Sequence, residues 1–176
     1  AEVVDSETRV IFIANPNNPT GTWVSRDSLI NFLDSIPEHI LVVLDEAYFE
    51  YVEEENYPDG IQLLSHYPGL IVTRTFSKIH GLAGLRVGYS VSSSKIAEIL
   101  NRVRQPFNVN SLGYAAALAA LEDEEFVLEE THFQTPMDIH VLKDQVRIAC
   151  FQMVVVTALE MLWINVVSVL VMVNPV

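Results

Sequence analysis

The stretch that decides the fold covers residues 73–89 and reads TRTFSKIHGLAGLRVGY. The apolar residues 70–73 lead into it and predict a strand buried in a sheet. A hydroxyl-rich turn then carries Lys78, and a glycine-spaced loop follows as far as Arg86. Burial lowers the pKa of an amine, and the neutral amine is the form that attacks an aldehyde. A single lysine among small polar residues, directly after a buried strand, is therefore suited to carbonyl chemistry.

Further strands and helices are predicted on both sides of this stretch. Continuous apolar runs are typical of strands that are buried on both faces of a sheet. The predicted strands are 9–14, 40–44, 70–73 and 86–91. Capping residues and apolar spacing predict helices at 25–36, 61–66, 94–104 and 111–121, the last resuming from residue 124. Residues 49–59 are acidic and aromatic, and are predicted to be a loop.

This alternation of strands and helices predicts an α/β fold with a mostly parallel sheet and helices on both faces. Ligands of such sheets bind at the carboxyl ends of the strands. Polar side chains follow each of the first three strands: Asn18 after the first, Asp45 and Tyr48 after the second, and Lys78 after the third. We therefore expect these side chains to share one edge of the sheet and to form a site.

The composition limits the classes of function. The chain has 176 residues, is 50% hydrophobic, and carries a formal net charge of −13 with a pI of about 4.6. A polyanionic partner such as nucleic acid is therefore not expected. Cys150 is the only cysteine, which excludes an internal disulfide and suits a reducing cytoplasm. The histidines lack the spacing of metal ligands, so no metal site is predicted.

The two ends of the chain give further expectations. The first residues are acidic and do not form the apolar segment of a signal peptide, and we expect the chain to be part of a longer protein. Residues 148–173 are nearly all apolar, and Glu160 is their only charged residue. A membrane helix is one interpretation of this length. The interior Gln152, Glu160 and Asn165, together with many valines, favour buried strands instead.

Several residues match the requirements of a pyridoxal phosphate site. Such a site needs a lysine to hold the aldehyde and a carboxylate against the pyridine nitrogen. It also needs donors to the phenolic oxygen, and hydroxyls with an arginine for the phosphate. The chain supplies Lys78, Asp45, Asn18 with Tyr48, and Thr75 and Ser77 with Arg86.

Four motifs stand in order along the chain. They read NPNNPTG at 15–21, DEAY at 45–48, TFSK…GLAGLRVGY from 75 to 89, and QPFNVN at 105–110 before an alanine-rich helix. Together they resemble the motifs of fold-type I aminotransferases, and within these most closely the histidinol-phosphate aminotransferases. The resemblance covers roughly residues 8–130. It implies an incomplete large domain of the pyridoxal-phosphate-dependent transferase fold, of the aspartate aminotransferase type.

The resemblance also implies a role for each site residue. Lys78 would form the Schiff base with the cofactor and move a proton between substrate and cofactor. Asp45 would pair with the pyridinium nitrogen. The phenolic oxygen would accept hydrogen bonds from Asn18 and Tyr48. The cofactor phosphate would be bound by Thr75, Ser77 and Arg86.

The implied reaction transfers an amino group between histidinol phosphate and 2-oxoglutarate or glutamate, in cytoplasmic L-histidine biosynthesis, by a homodimer. Residues 1–130 are predicted to be a partial cofactor-binding domain with the interdomain helix. Residues 131–176 are predicted to be an atypical apolar tail in place of the small domain. The family's preceding phosphate loop, stacking aromatic and substrate arginine have no match, so weak cofactor binding and little turnover are expected. The alternatives are an aromatic aminotransferase, a threonine-phosphate decarboxylase or a non-catalytic remnant.

Other residues are not expected to contact the cofactor directly. Glu46 is expected to be structural, and His80 is not expected to be an acid–base group. Asn108 is expected near the domain hinge, and Cys150 is expected to be inert. In the family the peptide bond equivalent to Asn18–Pro19 is often cis.

Overall fold

The structure is a computed structural model that describes the backbone of residues 4–134 and 168–173 and the side chains of residues 4–131. The described helices are α1 (Arg26–Ser35), α2 (Gly60–Leu63), α3 (Ser94–Val103), α4 (Ser111–Glu122) and α5 (Glu124–Gln134). The described strands are β1 (Val10–Ala14), β2 (Leu41–Asp45), β3 (Leu70–Thr75), β4 (Val87–Ser92) and β5 (Ser168–Val173). Short 3₁₀ turns lie at Phe49–Tyr51 and Ala83–Leu85.

The strands form one sheet in the order β1-β2-β3-β4-β5. β1 pairs with β2 in parallel, and β2 pairs with β3 in parallel. In this register Ala14 lies beside Asp45, and Asp45 lies beside Thr73. The predicted parallel arrangement is therefore confirmed for the first three strands, whose carboxyl ends lie level with one another.

The core on one face of the sheet is formed by aliphatic residues of two strands and two helices. Its buried members are Leu29 and Leu33 of α1, Val42 and Leu44 of β2, Leu63 of α2, and Leu70 and Val72 of β3. Side chains alternate between the two faces of a strand. The even-numbered residues of β2 therefore face this core, and Asp45 lies on the opposite face from Leu44.

The prediction that every apolar strand is buried on both faces is wrong for β1. None of its residues is fully buried, and Val10 and Phe12 are 43% and 51% exposed. The reason is its position, since β1 is the edge strand of the described sheet. A continuous apolar run indicates a strand, but it does not distinguish an edge strand from a central one.

Helix boundaries follow from capping groups near the predicted positions. The Ser25 hydroxyl accepts a hydrogen bond from the Ser28 amide at 3.3 Å, and α1 begins at the next residue, Arg26. The Asn110 side chain accepts from the Gly113 amide at 2.7 Å and caps α4 in the same way. The predicted strand at 86–91 begins one residue late, because Arg86 has φ 57° and cannot continue a strand.

The described chain divides into two units by its internal contacts. The first comprises residues 4–75, 89–104 and 171–173. The second comprises residues 76–88, 105–134 and 168–170. In the second unit Phe76, Ile79 and Val87 are almost completely buried, so that the loop between β3 and β4 has an apolar anchor of its own.

The predicted tail lies largely outside the described residues, as does Cys150. Its one described segment, β5, is a strand, which agrees with the β-branched character of residues 168–173. No helix within the described ranges is both long and apolar enough to cross a bilayer. The domain boundary near residue 130 stays a prediction.

Gly60 tests how tightly the core is packed. A Cβ at this position would lie 2.6 Å from Leu44 Cδ2, 2.8 Å from Glu46 Oε1 and 2.9 Å from Val72 Cγ2. We expect Gly60→Ala to lower the free energy of unfolding by about 1–3 kcal/mol, because three packed groups would have to move. The control is Gly84→Ala, where no heavy atom of the described chain lies within 4 Å. Urea denaturation of both variants provides the measurement, and equal effects would contradict the packing.

Candidate functional site

The carboxylate of Asp45 is held at the end of β2 by two donors. Its Oδ1 accepts a hydrogen bond from the Ala47 amide at 3.2 Å and from the Thr73 hydroxyl at 3.3 Å. Thr73 is the residue beside Asp45 in the parallel pairing of β2 with β3. The carboxylate therefore has a fixed direction, on the face of the sheet away from the aliphatic core.

Asn18 and Tyr48 meet although 30 residues separate them. The Asn18 Nδ2 donates a hydrogen bond to the Tyr48 hydroxyl oxygen at 3.1 Å. Asn18 follows β1 and Tyr48 follows β2, so the level ends of the two strands bring the loops together. The Asn15 amide also donates to the Asp45 carbonyl at 2.9 Å, which ties the start of the first loop to β2.

The loop that carries Asn18 is braced by two residues that sequence reasoning missed. The fully buried Asn15 side chain accepts from the Val24 amide at 2.8 Å and donates to the Val24 carbonyl at 3.3 Å. The Tyr57 hydroxyl donates to the Asn15 carbonyl oxygen. The Asn15–Pro16 and Asn18–Pro19 peptide bonds are both cis, and the second of these confirms the expectation. The first asparagine of the NPNNPTG motif was the only sequence signal for this bracing.

The remaining predicted residues lie around the loop between β3 and β4. The Arg86 Nη1 donates to the Ala83 carbonyl at 2.8 Å and lies 3.5 Å from the Ser77 hydroxyl. Arg86 adopts the left-handed conformation with φ 57°, which turns the chain sharply before β4. The Gly81 amide donates to the Lys78 carbonyl at 2.9 Å and closes the turn that carries the lysine. The loop thus brings the Arg86 guanidinium close to the Ser77 hydroxyl, although the two residues are nine positions apart in sequence.

The predicted site residues divide between the two units. Those of the first unit are Asn18, Asp45, Tyr48 and Thr75, and those of the second are Ser77, Lys78 and Arg86. Within each unit the structure brings predicted partners together, namely Asn18 with Tyr48 and Ser77 with Arg86. No group of three or more potential metal ligands occurs among the described residues.

Comparison with known proteins gives a match over most of the chain. Residues 1–158 match the family described as aminotransferase class I and II. The chain belongs to this aminotransferase family. The family match extends past residue 130, where the motifs that we recognised end.

Named relatives of this aminotransferase chain point in the same direction. Histidinol-phosphate aminotransferase 2 of Pseudomonas fluorescens is 62% identical over 126 residues, which are 72% of this chain and 34% of that protein. The chain therefore spans about a third of the length of this curated relative. The crystal structure of histidinol-phosphate aminotransferase from Sinorhizobium meliloti in complex with pyridoxal 5′-phosphate matches with a TM-score of 0.65 and 40% identity. That match covers 69% of this chain and 33% of the other.

A more distant structure supports the fold alone. L-threonine-O-3-phosphate decarboxylase from Porphyromonas gingivalis matches with a TM-score of 0.65 and 24% identity, over 83% of this chain and 44% of that one. The predicted architecture, an incomplete α/β large domain of the aminotransferase fold, is thereby confirmed.

The polar groups of these residues fit the parts of pyridoxal phosphate. A carboxylate on two hydrogen-bond donors suits a protonated ring nitrogen, and an amide with a phenol suits the phenolic oxygen. A guanidinium beside a hydroxyl suits a phosphate. Each of these groups thus matches one part of the cofactor in its chemistry.

Glu46 lies beneath this site and was expected only to be structural. It is fully buried, and its Oε2 accepts hydrogen bonds from Arg74 Nε at 3.0 Å and Nη2 at 2.7 Å. Its Oε1 accepts from the Gly60 amide at 2.8 Å. Burial raises the pKa of Glu46 to about 7, although Arg74 opposes this rise. Burial alone would lower the pKa of Arg74, but the Glu46 charge outweighs it and the pKa is raised.

His80 is half-buried, and its ring centroid lies 5.1 Å from that of Phe76. Burial lowers the pKa of His80, so that the neutral form is favoured. A neutral imidazole packed on an aromatic ring suits a structural role. The expectation that His80 is not an acid–base group stays a prediction.

The raised pKa of Glu46 predicts a pH-dependent stability. Between its ordinary pKa of 4.5 and about 7, the folded state holds a proton that the unfolded state has released. This contribution to the free energy of unfolding is complete below the lower value and is lost as the pH rises through the upper one. In the variant Glu46→Gln the side chain cannot titrate, so this pH-dependent contribution to the free energy of unfolding is absent. Between about pH 5 and pH 8 the stability of the wild type should fall by about 2 kcal/mol more than that of the variant.

Urea denaturation at the two pH values provides this measurement. The titration of His80 acts in the opposite direction, since its pKa is lowered, but it is present in both proteins and cancels in the comparison. Parallel pH profiles of the wild type and the variant would show that the Glu46 carboxyl is ionised throughout.

Proposed function

We propose that the protein containing this chain transfers an amino group between histidinol phosphate and 2-oxoglutarate, with pyridoxal 5′-phosphate as its cofactor. The 62% identity to a protein named histidinol-phosphate aminotransferase is the observation that carries this proposal. The solved relative at 40% identity contains pyridoxal 5′-phosphate, which supports the choice of cofactor. The setting would be L-histidine biosynthesis in the cytoplasm, and the active assembly a homodimer.

In this proposal Asp45 keeps a proton on the ring nitrogen of the cofactor. When bound, pyridoxal phosphate supplies an electron sink for the electrons released at the substrate carbon. The Ala47 amide and the Thr73 hydroxyl align the Asp45 carboxylate, and a carboxylate beside the ring nitrogen would favour its protonated form. Asp45 therefore acts through charge rather than through proton transfer.

Asn18 and Tyr48 would orient the cofactor through its phenolic oxygen. Because the Asn18 amide donates to the Tyr48 oxygen, the hydroxyl proton of Tyr48 is directed away from Asn18. Donation from an already hydrogen-bonded phenol is strengthened by the first bond. The pair would thus act as one donor group towards an anionic oxygen.

The end of β3 and the loop that follows it would supply the covalent anchor and the phosphate contacts. Lys78 would bind the cofactor through its amine and carry a proton to and from the reacting carbon. Arg86 and Ser77 would bind the phosphate, with Thr75 of β3 as a third donor. The planar guanidinium of Arg86 presents its donors in a rigid fork, which suits a bound dianion.

Covalent attachment to Lys78 can be tested on this chain. The chain is incubated with pyridoxal phosphate, reduced with borohydride and mapped by peptide mass spectrometry. We expect the cofactor mass on the peptide that contains Lys78, because only this lysine lies among the motif residues. Lys78→Arg should abolish the label, whereas Lys95→Arg, at an exposed position of α3, should keep it. Equal labelling of Lys78 and Lys95 would refute a specific attachment.

Substrate choice is tested on a protein of the relatives' length that contains this sequence, because the chain covers about a third of the curated relative. We expect kcat/KM for histidinol phosphate to exceed that for aromatic amino acids by about tenfold or more, as a missing phosphate contact leaves buried donors unpaired. Amino transfer to 2-oxoglutarate provides the assay. Carbon dioxide release from threonine phosphate as the main reaction would favour the decarboxylase alternative.

A further inference from the structure

Two adjacent carboxylates at the end of β2 point in opposite directions. Asp45 faces the candidate site, where the Ala47 amide and the Thr73 hydroxyl bind it. Glu46 lies on the side of the aliphatic core, since a Cβ at Gly60 would touch Leu44, Glu46 and Val72 together. The position of one carboxylate is therefore linked through a single peptide bond to that of the other.

Arg74 binds Glu46 and fixes its direction. The guanidinium makes two hydrogen bonds to Oε2 of Glu46, and its Nη2 also lies 2.8 Å from Oδ1 of Asp59. Its Cζ lies 3.6 Å above the Phe49 ring. The Arg74 side chain is only 10% exposed. A planar guanidinium with a carboxylate on its edge and an aromatic ring on its face has little freedom to rotate.

The pair joins the ends of three elements. Glu46 follows β2, its amide donates to the Thr73 carbonyl at 2.9 Å, and its side chain accepts from Gly60 at the start of α2. Arg74 belongs to β3. Loss of one partner would leave the other as a buried charge without its main counter-ion, which is strongly unfavourable. The three element ends are therefore held in one arrangement.

Ala47 and Thr73, which donate to Asp45, are chain neighbours of this pair. Ala47 follows Glu46, and Thr73 precedes Arg74. A shift of the Glu46 peptide would move the Ala47 amide, and a shift of Arg74 would move the Thr73 hydroxyl. Each residue of the interior ion pair is thus one peptide bond away from a residue that donates to Asp45 on the opposite face of the sheet.

We propose that Glu46 and Arg74 are positioning residues, whose buried ion pair fixes the Asp45 carboxylate in the direction needed by a cofactor ring nitrogen. The cofactor part of this statement rests on the proposed function. The positioning of Asp45 by the pair does not, and it can be measured on the chain without cofactor. Glu46→Gln keeps the shape of the side chain and removes its charge, which should loosen the Ala47 amide.

The first measurement is amide hydrogen exchange by NMR at about pH 8, above the pKa of Glu46 of about 7, on the wild type, Glu46→Gln and a control. The control is Asp34→Asn, the same kind of change, which removes the negative charge of the carboxylate that accepts from the Tyr67 hydroxyl at the surface. We expect Glu46→Gln to raise the exchange rate of Ala47 relative to that of Leu44 by about tenfold or more. The control should leave this ratio within about twofold. A general loss of stability would accelerate Leu44 at least as much as Ala47 and so could not raise the ratio. A ratio that does not rise overturns the proposal.

The second measurement is the affinity for pyridoxal phosphate, followed by absorbance. Glu46→Gln should weaken it by about tenfold, and Asp34→Asn should not. Weaker binding with an unchanged Ala47 ratio also overturns positioning through Asp45. If a protein of the relatives' length that contains this sequence does not attach the cofactor at Lys78, the proposed function fails, while the exchange ratio still decides the positioning. Should Glu46→Gln not fold, Arg74→Lys, which keeps the charge without the two-pronged contact, is measured against the same criteria.

Discussion

The parallel register of the first three strands is the constraint on which the rest of the first unit depends. Ala14, Asp45 and Thr73 lie side by side, so the loops that follow β1, β2 and β3 leave the sheet at one level. Hydrogen bonds between distant loop residues become possible only because of this alignment. A shift of one residue in the pairing would move Asp45 to the core face and Glu46 to the site face.

That register places the ionisable side chain of Glu46 in the protein interior, where a charge is strongly unfavourable. Glu46 is fully buried beside aliphatic side chains, and burial raises its pKa to about 7. Arg74 compensates with its two-pronged contact, and the Gly60 amide occupies the other carboxylate oxygen. The absence of a side chain at Gly60 is what leaves space for this oxygen. Glycine at the first residue of α2 is thus explained by its neighbour in space rather than by the helix.

Much of this arrangement could be predicted from sequence because it depends on local signals. Apolar runs indicated the strands, and polar residues directly after them indicated the carboxyl edge with Asn18, Asp45 and Tyr48. The left-handed conformation of Arg86 could not be predicted, since glycine rather than arginine is the usual signal for it. The exposure of β1 also escaped prediction, because an apolar run does not encode its position in the sheet.

The bracing residues escaped prediction for a different reason. Glu46 and Arg74 are 28 residues apart, and Asn15 and Tyr57 are 42 apart, so neither pair has a spacing that a local pattern could reveal. The DEAY motif drew attention to Asp45, and Glu46 was expected to be structural without a partner being identified. Recognising the pair required the alternation of side chains across β2 together with the register of β2 on β3.

Stability alone does not explain a buried ion pair at this position. Replacing such a pair by well-packed apolar residues is often neutral or stabilising, since desolvation offsets most of the electrostatic attraction. Apolar packing is not directional, whereas the contact between Arg74 and Glu46 fixes both a distance and an angle. The adjacent peptide must present the Ala47 amide to Asp45 at 3.2 Å, and a directional constraint on the opposite face of the same strand end meets that requirement. The unfavourable desolvation of Glu46 is therefore explained by the orientation that its ion pair with Arg74 gives to the adjacent Ala47 amide.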